Sequence, residues 1–169
     1  MTKPEELSSN LEHGDLPPLG ILQELDSKVL RRLSAVGRLE TLDPGACITL
    51  QGERHHGLSV IIKGRLKVSC HAHGDVVDLA ELGPGHTVGE MSLLDPQPSS
   101  ANVCVVEESA LLWTVDGEAF HQVVDADPEL GCAVFRMLAK EMGRRLRQNS
   151  DHMLHQADEF RTHFLDMDY

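Results

Sequence analysis

Apolar positions along this chain recur with three different periods, and each period predicts a different element. Leu22, Leu25, Val29, Leu30 and Leu33 repeat at steps of one face of a helix, with Asp26, Lys28, Arg31 and Arg32 largely opposite; the pattern predicts a first amphipathic helix ending near Gly37. From Leu39 to Val115 the period falls to two. Leu66, Val68 and Cys70 alternate with Arg65 and Lys67, so the first set faces a core and the second faces water, and Leu111, Trp113 and Val115 repeat the pattern. Leu58, Val60, Ile61 and Ile62 read as a more fully buried strand. Gly45, Gly52, Gly57, Gly64, Gly74, Gly83 and Gly85 punctuate this region, which predicts about eight short strands in a sandwich or barrel.

The helical period then returns. Asp116 precedes Gly117-Glu118-Ala119-Phe120 as an N-cap with an acidic first turn, opening a helix through about Val124. Pro128 starts the longest helical pattern, which runs at least to Gln156. One of its stripes, Leu130, Val134 and Leu138, is expected on the sandwich. A second, Phe135, Ala139, Met142, Leu146, Asn149, Met153, Gln156 and Phe160, alternates steps of four and three, the spacing of a coiled-coil seam. Two faces require two partners, so a homodimer through residues 128–160 is expected, with Asn149 favouring one register. The alternative is that Asn149 and Gln156 mark where the helix frays into solvent.

These elements divide the chain into a leader over residues 1–18, a β-rich domain with its first helix over 19–127, and a helical arm over 128–169. The leader carries Pro4, Pro17, Pro18 and several acids without an apolar block, which fits neither a signal nor a transit peptide. With 41% hydrophobic residues the chain has a globular composition, and no run approaches the roughly 20 apolar residues of a membrane span. Cytoplasmic placement follows as the expectation. A formal charge of −12 opposes nonspecific binding to nucleic acid or anionic lipid, so neither DNA nor membrane is expected as a partner.

Four cysteines, Cys47, Cys70, Cys104 and Cys132, lack paired spacing and read as free thiols, mostly buried in strands. His55–His56, His71–His73 and His152–His155 each offer two metal ligands without a third, so exposed histidines are expected and no metal. Arg144, Arg145 and Arg147 make a small basic patch that reads most simply as a solvated helix face; the alternative is that it meets an anion or an acidic partner. No nucleophile elbow, phosphate loop or zinc-protease motif occurs, which disfavours an enzyme.

One stretch fits neither strand nor ordinary turn: residues 86–101, His86-Thr87-Val88-Gly89-Glu90-Met91-Ser92-Leu93-Leu94-Asp95-Pro96-Gln97-Pro98-Ser99-Ser100-Ala101. Gly89 permits close backbone approach, and the apolar run after Glu90 suits one helical turn whose first N–H groups lack intrahelical acceptors. It reads either as a ligand cassette for an anion or as a capped loop between strands.

The order of elements, with Ile48-x-x-Gln51-Gly52-Glu53, Leu58-x-Val60-Ile61-Ile62-x-Gly64-x-Leu66-x-Val68, Leu82-x-x-Gly85-x-x-x-Gly89-Glu90-x-x-Leu93-Leu94 and Ala101-x-Val103, resembles a cyclic-nucleotide-binding domain over roughly residues 20–150. This is the effector module of the catabolite activator protein family, of cyclic-nucleotide-dependent kinases and of gated channels. The resemblance implies a mainly β fold with flanking helices, a double-stranded β-helix or jelly roll of about eight strands plus a long C-terminal helix.

It also implies a site. Glu90 would accept the ribose hydroxyl, Gly89, Met91 and Ser92 would give backbone to the phosphate, and an Arg would neutralise it. That Arg position falls on Ser99, followed by Ser100 and Ala101. A charged hydrogen bond contributes about 1.5–3 kcal/mol, so its loss implies binding weaker by about two decades or more. Candidate ligands are cAMP, cGMP or another nucleotide-like anion; the alternative is a vestigial pocket in a dimeric interaction module. No winged helix-turn-helix pattern follows the long helix, and Phe160, Phe164, Leu165, Met167 and Tyr169 are apolar positions that read most simply as a frayed end; the alternative is that they dock on a protein partner or on the sandwich.

Overall fold

The computed structural model describes residues 16–106 and 108–165. Most of the expected leader, Glu107, residues 166–169 and the side chains of His152 and of residues 155–165, among them His155, Gln156, Phe160, Phe164 and Leu165, lie outside the described residues. Eight strands form two four-stranded antiparallel sheets. Strands β1 (Arg38–Leu42), β8 (Ala110–Asp116), β3 (Gly57–Lys63) and β6 (Thr87–Val88) make one sheet in that order. Strands β2 (Cys47–Thr49), β7 (Asn102–Val105), β4 (Leu66–Ala72) and β5 (Asp75–Leu82) make the other. This is the mainly β roll with flanking helices that the resemblance implies, and its two sheets are the sandwich that the strand rhythm predicts.

Alternation along the strands divides the interior into two cores. Ile61, Leu66, Val88, Val103, Val105, Ala110 and Leu112 pack between the sheets. Leu58, Val60, Ile62, Trp113 and Val115 emerge on the opposite face of the first sheet and pack against the helices. Strand β3 is therefore buried on both faces from Gly57 to Ile62, Ser59 included, whereas the edge strand β1 stays largely exposed. Burying each such side chain contributes about 1.5–3 kcal/mol.

The first amphipathic segment is not one helix. A 3-10 turn at Gly20–Glu24 is followed by helix α1 at Ser27–Ser34, because Asp26, expected on a polar helix face, instead accepts the Val29 N–H at 2.8 Å as an N-cap. The apolar face survives the break: Leu22, Leu25, Val29, Leu30 and Leu33 are all buried.

Helix α2 is a short turn at Glu90–Leu94. Helix α3 spans Gly117–Ala126 with Asp116 capping Glu118 N–H at 2.9 Å. Helix α4 spans Pro128–Leu165, its first turn held by Asp127 Oδ1, which accepts from the N–H groups of Glu129 and Leu130 at 3.0 and 3.2 Å. Leu130, Val134 and Leu138 are fully buried against the sandwich. The second stripe points away: Met142, Leu146 and Met153 are exposed, and Phe135 is partly covered by an edge contact with Phe120 at 5.9 Å.

The cysteines depart from the expectation of four free thiols. Cys47 and Cys104 sit directly opposite in the β2–β7 ladder and are joined by a disulfide, while Cys70 and Cys132 are free. Cys47 lies on an edge strand and is exposed rather than buried.

Candidate functional site

The cassette is built where β6 hands over to α2. Gly89 caps α2 with φ +89°, a left-handed conformation that favours glycine. A Cβ there would collide with the Gly57 carbonyl oxygen and lie 2.6 Å from Cδ2 and Nε2 of His55. The close approach expected of Gly89 is thus an approach to β3 and to a histidine.

Glu90 follows, at the first position of α2, and is 3% exposed. A buried carboxylate needs partners, and its partner comes from the long helix: Arg145 Nη1 donates to Glu90 Oε1 at 2.6 Å. The same guanidinium donates through Nη2 to the Thr87 carbonyl at 2.7 Å and to Thr87 Oγ1 at 3.1 Å, and through Nε to Glu141 Oε1 at 3.1 Å. Glu141 is itself buried and also pairs with Arg144. The network ties β6, α2 and α4 together around alternating charges. Reading Arg145 as part of a solvated helix face is corrected here: its side chain is 27% exposed and bonded through all three nitrogens.

Glu90 Oε2 is buried and has no hydrogen-bond partner, and neither has His55 Nε2. His55 sits in the turn between β2 and β3. Burial lowers its pKa below 6.5; the His56 charge adds to this, while the nearby carbonyls of Gly57 and Ile48 and the charge of Glu90 oppose it. It is therefore not the exposed histidine that its sequence context suggests.

The other expected residues lie on two arms of the cassette. Met91 is exposed and Ser92 half-buried on α2. Ser99, Ser100 and Ala101 run along the far arm, which pairs with residues 49–54: Gly52 N–H donates to Ser99 O and Ser99 N–H to Glu53 O, both at 2.8 Å, and Thr49 Oγ1 donates to Ala101 O at 3.1 Å. Ser99 is half-buried, Ser100 exposed and Ala101 buried. Among the described residues no Arg stands in for the missing one along this arm: Arg54 is exposed beside Pro98, Arg65 pairs with Glu81, and Arg136 lines a separate basic cleft of about 460 Å³ with Lys140, Arg144 and Arg147.

Sequence reasoning missed Arg145 and His55. The available signal for Arg145 was its i, i+4 relation to Glu141, an acid on an otherwise basic stretch; for His55 there was none beyond its place in the turn after Gln51-Gly52-Glu53.

The family described as "Cyclic nucleotide-binding domain" matches residues 39–127. The Pycsar effector protein XpPycTIR of Xanthomonas perforans is 31% identical over 136 residues, 80% of this chain and 42% of that protein. The chain thus spans about two fifths of that relative's length. A cyclic nucleotide-binding domain from Methylobacillus flagellatus has a TM-score of 0.74 at 22% identity, covering 78% of this chain and 74% of that one. The Thermus thermophilus catabolite activator protein has a TM-score of 0.68 at 26% identity, covering 81% and 62%.

Proposed function

Because this chain belongs to the cyclic nucleotide-binding domain family, we propose that it is a regulatory, non-catalytic sensor whose cassette still takes a cyclic nucleotide or another nucleotide-like anion, weakly and with altered selectivity. The observation that carries this reading is Glu90: a carboxylate nearly closed to solvent with one oxygen unbonded. An unsatisfied buried acceptor costs roughly 1–3 kcal/mol or more, and a ligand hydroxyl would relieve it. Gly89, Met91 and Ser92 would flank the ligand on one side and Ser99, Ser100 and Ala101 on the other, with Ser99 donating one neutral bond where a guanidinium would give a charged fork.

Arg145 holds Oε1 of Glu90 and leaves Oε2 free, so a ligand hydroxyl would join the network without displacing the guanidinium, and its arrival would bias how α4 sits on the sandwich. The second reading, a vestigial pocket in an interaction module, draws on Ser99 in place of the Arg and on the partner that Glu90 already has in Arg145. Calorimetry against cAMP, cGMP and cyclic dinucleotides, beside Ser99→Arg, separates the two. The sensor reading expects weak binding by the parent and roughly hundredfold tighter binding by the variant. Binding by the variant alone would mark a vestigial pocket.

We take residues 19–127 as the sensing unit and 128–160 as a homodimerisation arm that conveys the state of the cassette to a protein partner. Exposed Met142, Leu146 and Met153 on one stripe of α4 support it. Leu146→Glu is expected to convert the dimer to monomer in sedimentation equilibrium; an unchanged mass would remove the arm's proposed role. Among the described residues no helix is long and apolar enough to cross a membrane, which supports the cytoplasmic placement.

A further inference from the structure

Helix α4 carries a basic cleft that the cassette does not use. Arg136, Lys140, Arg144 and Arg147 line it, four of the chain's 15 basic residues on three turns of one helix, in a chain with 27 acids. All four are exposed, on a third stripe of α4 beside the buried stripe and the expected seam. Like charges three and four residues apart repel, so the stripe weakens the helix that bears it. Ala139 and Gly143 form its floor. Glycine is unfavourable inside a helix, and here it leaves a notch. A Cβ on Gly143 would lie 3.5 and 3.9 Å from Nη1 and Nη2 of Arg147, so this guanidinium lies back along the helix over the cleft floor.

One carboxylate already lies in the cleft. Glu24, the last residue of the 3-10 turn, sets Oε2 at 2.6 Å from Lys140 Nζ and Oε1 at 3.7 Å from Arg144 Nη2. Among the described residues neither Arg136 nor Arg147, at the two ends, pairs with a carboxylate, and Arg136 Nη2 reaches Cys132 Sγ at 3.3 Å. These ends stand about 16 Å apart along the axis, at roughly 1.5 Å per residue. A phosphate or pyrophosphate is too short to meet both. Alternate residues of an extended peptide lie about 7 Å apart on one face, so three carboxylates placed in this way match the length. A single-stranded nucleic acid needs rings to stack on, and among the described residues the lining holds no aromatic. We propose that the cleft is a docking surface for a short acidic segment of a partner protein, extended along α4 from Arg136 to Arg147. The formal charge of −12 on the whole chain opposes a long polyanion, which restricts the segment to a few acids. The inference goes beyond the sensor reading and stands whether or not the cassette takes a ligand.

The probe is a fluorescein-labelled peptide of four Glu-Ser repeats, and its binding to the full chain is followed by anisotropy. Binding at low salt that weakens as salt is raised is expected. Arg136→Gln with Arg147→Gln should weaken it about tenfold. Arg38→Gln with Arg65→Gln removes the same charge from exposed positions of the β roll and should leave binding unchanged. Gly143→Leu keeps every charge and favours the helix, yet should weaken binding severalfold by filling the notch. Equal loss in the two Gln pairs, or no loss in Gly143→Leu, would reduce the cleft to an effect of net charge and overturn the assignment, as would a parent that does not bind the peptide. Tighter binding of inorganic pyrophosphate or of an oligouridylate would overturn it in favour of a small anion or a nucleic acid. A fall in solution mass caused by Arg136→Gln with Arg147→Gln would overturn it in favour of a second copy of this chain.

Discussion

Replacing Arg145 by Met is expected to lower the stability of the fold by about 3–5 kcal/mol, read as a shift of the urea midpoint at unchanged slope. The guanidinium neutralises two carboxylates that are each at least 95% buried, Glu90 and Glu141, and it satisfies the Thr87 carbonyl as well. Removing it strands Glu90 and leaves Glu141 with Arg144 alone, and an unpaired buried charge costs far more than the pair contributes. Arg145→Lys should recover little, because a single ammonium cannot span three acceptors lying in different directions. Adding Glu90→Gln and Glu141→Gln to the Met variant should restore much of the loss. A midpoint within experimental error of the parent would mean that the guanidinium does not hold this position in solution.

Breaking the Cys47–Cys104 bridge is expected to cost about 4 kcal/mol, the loop-closure entropy released to the unfolded chain by a cross-link spanning 57 residues. The measurement is the urea midpoint of the oxidised protein against the same protein under a dithiol reductant, with Cys47→Ser as the control that should match the reduced form. The bridge joins β2 to β7, and the chain beyond β2 pairs with Ser99 and Ala101, so opening it should also loosen the far arm of the cassette. Coincident midpoints with and without reductant would show that the thiols are not joined. An exposed disulfide of this kind opens or cycles in a reducing compartment and persists in an oxidising one, which makes the oxidised fraction of freshly prepared protein informative.

The elements were legible because each is written locally. A period of two marks strands, a step of three and four marks helix faces, and Asp116 and Pro128 mark helix starts, all within a few residues of where the structure places them. The first segment broke into a turn and a helix because a short acid competes for backbone N–H groups at Asp26 even inside an amphipathic pattern. Burial of the stripe Leu130, Val134 and Leu138 was equally visible, since a helix can bury only the face that its sequence makes apolar.

The candidate site was half legible. Gly89 and Glu90 announce themselves by a backbone requirement and by an acid beside an apolar turn, and Ser99 by its place in the cassette. What stood opposite them did not. Arg145 lies 55 residues from Glu90, Cys104 lies 57 from Cys47, and His55 reaches Gly89 from the turn between β2 and β3. Amino-acid order determined which residues face inward, because facing is set by neighbours three or four positions away. Only the stacking of two sheets and the docking of α4 decided which inward group meets which, because those distances depend on strand register and on the angle of a helix rather than on any local preference.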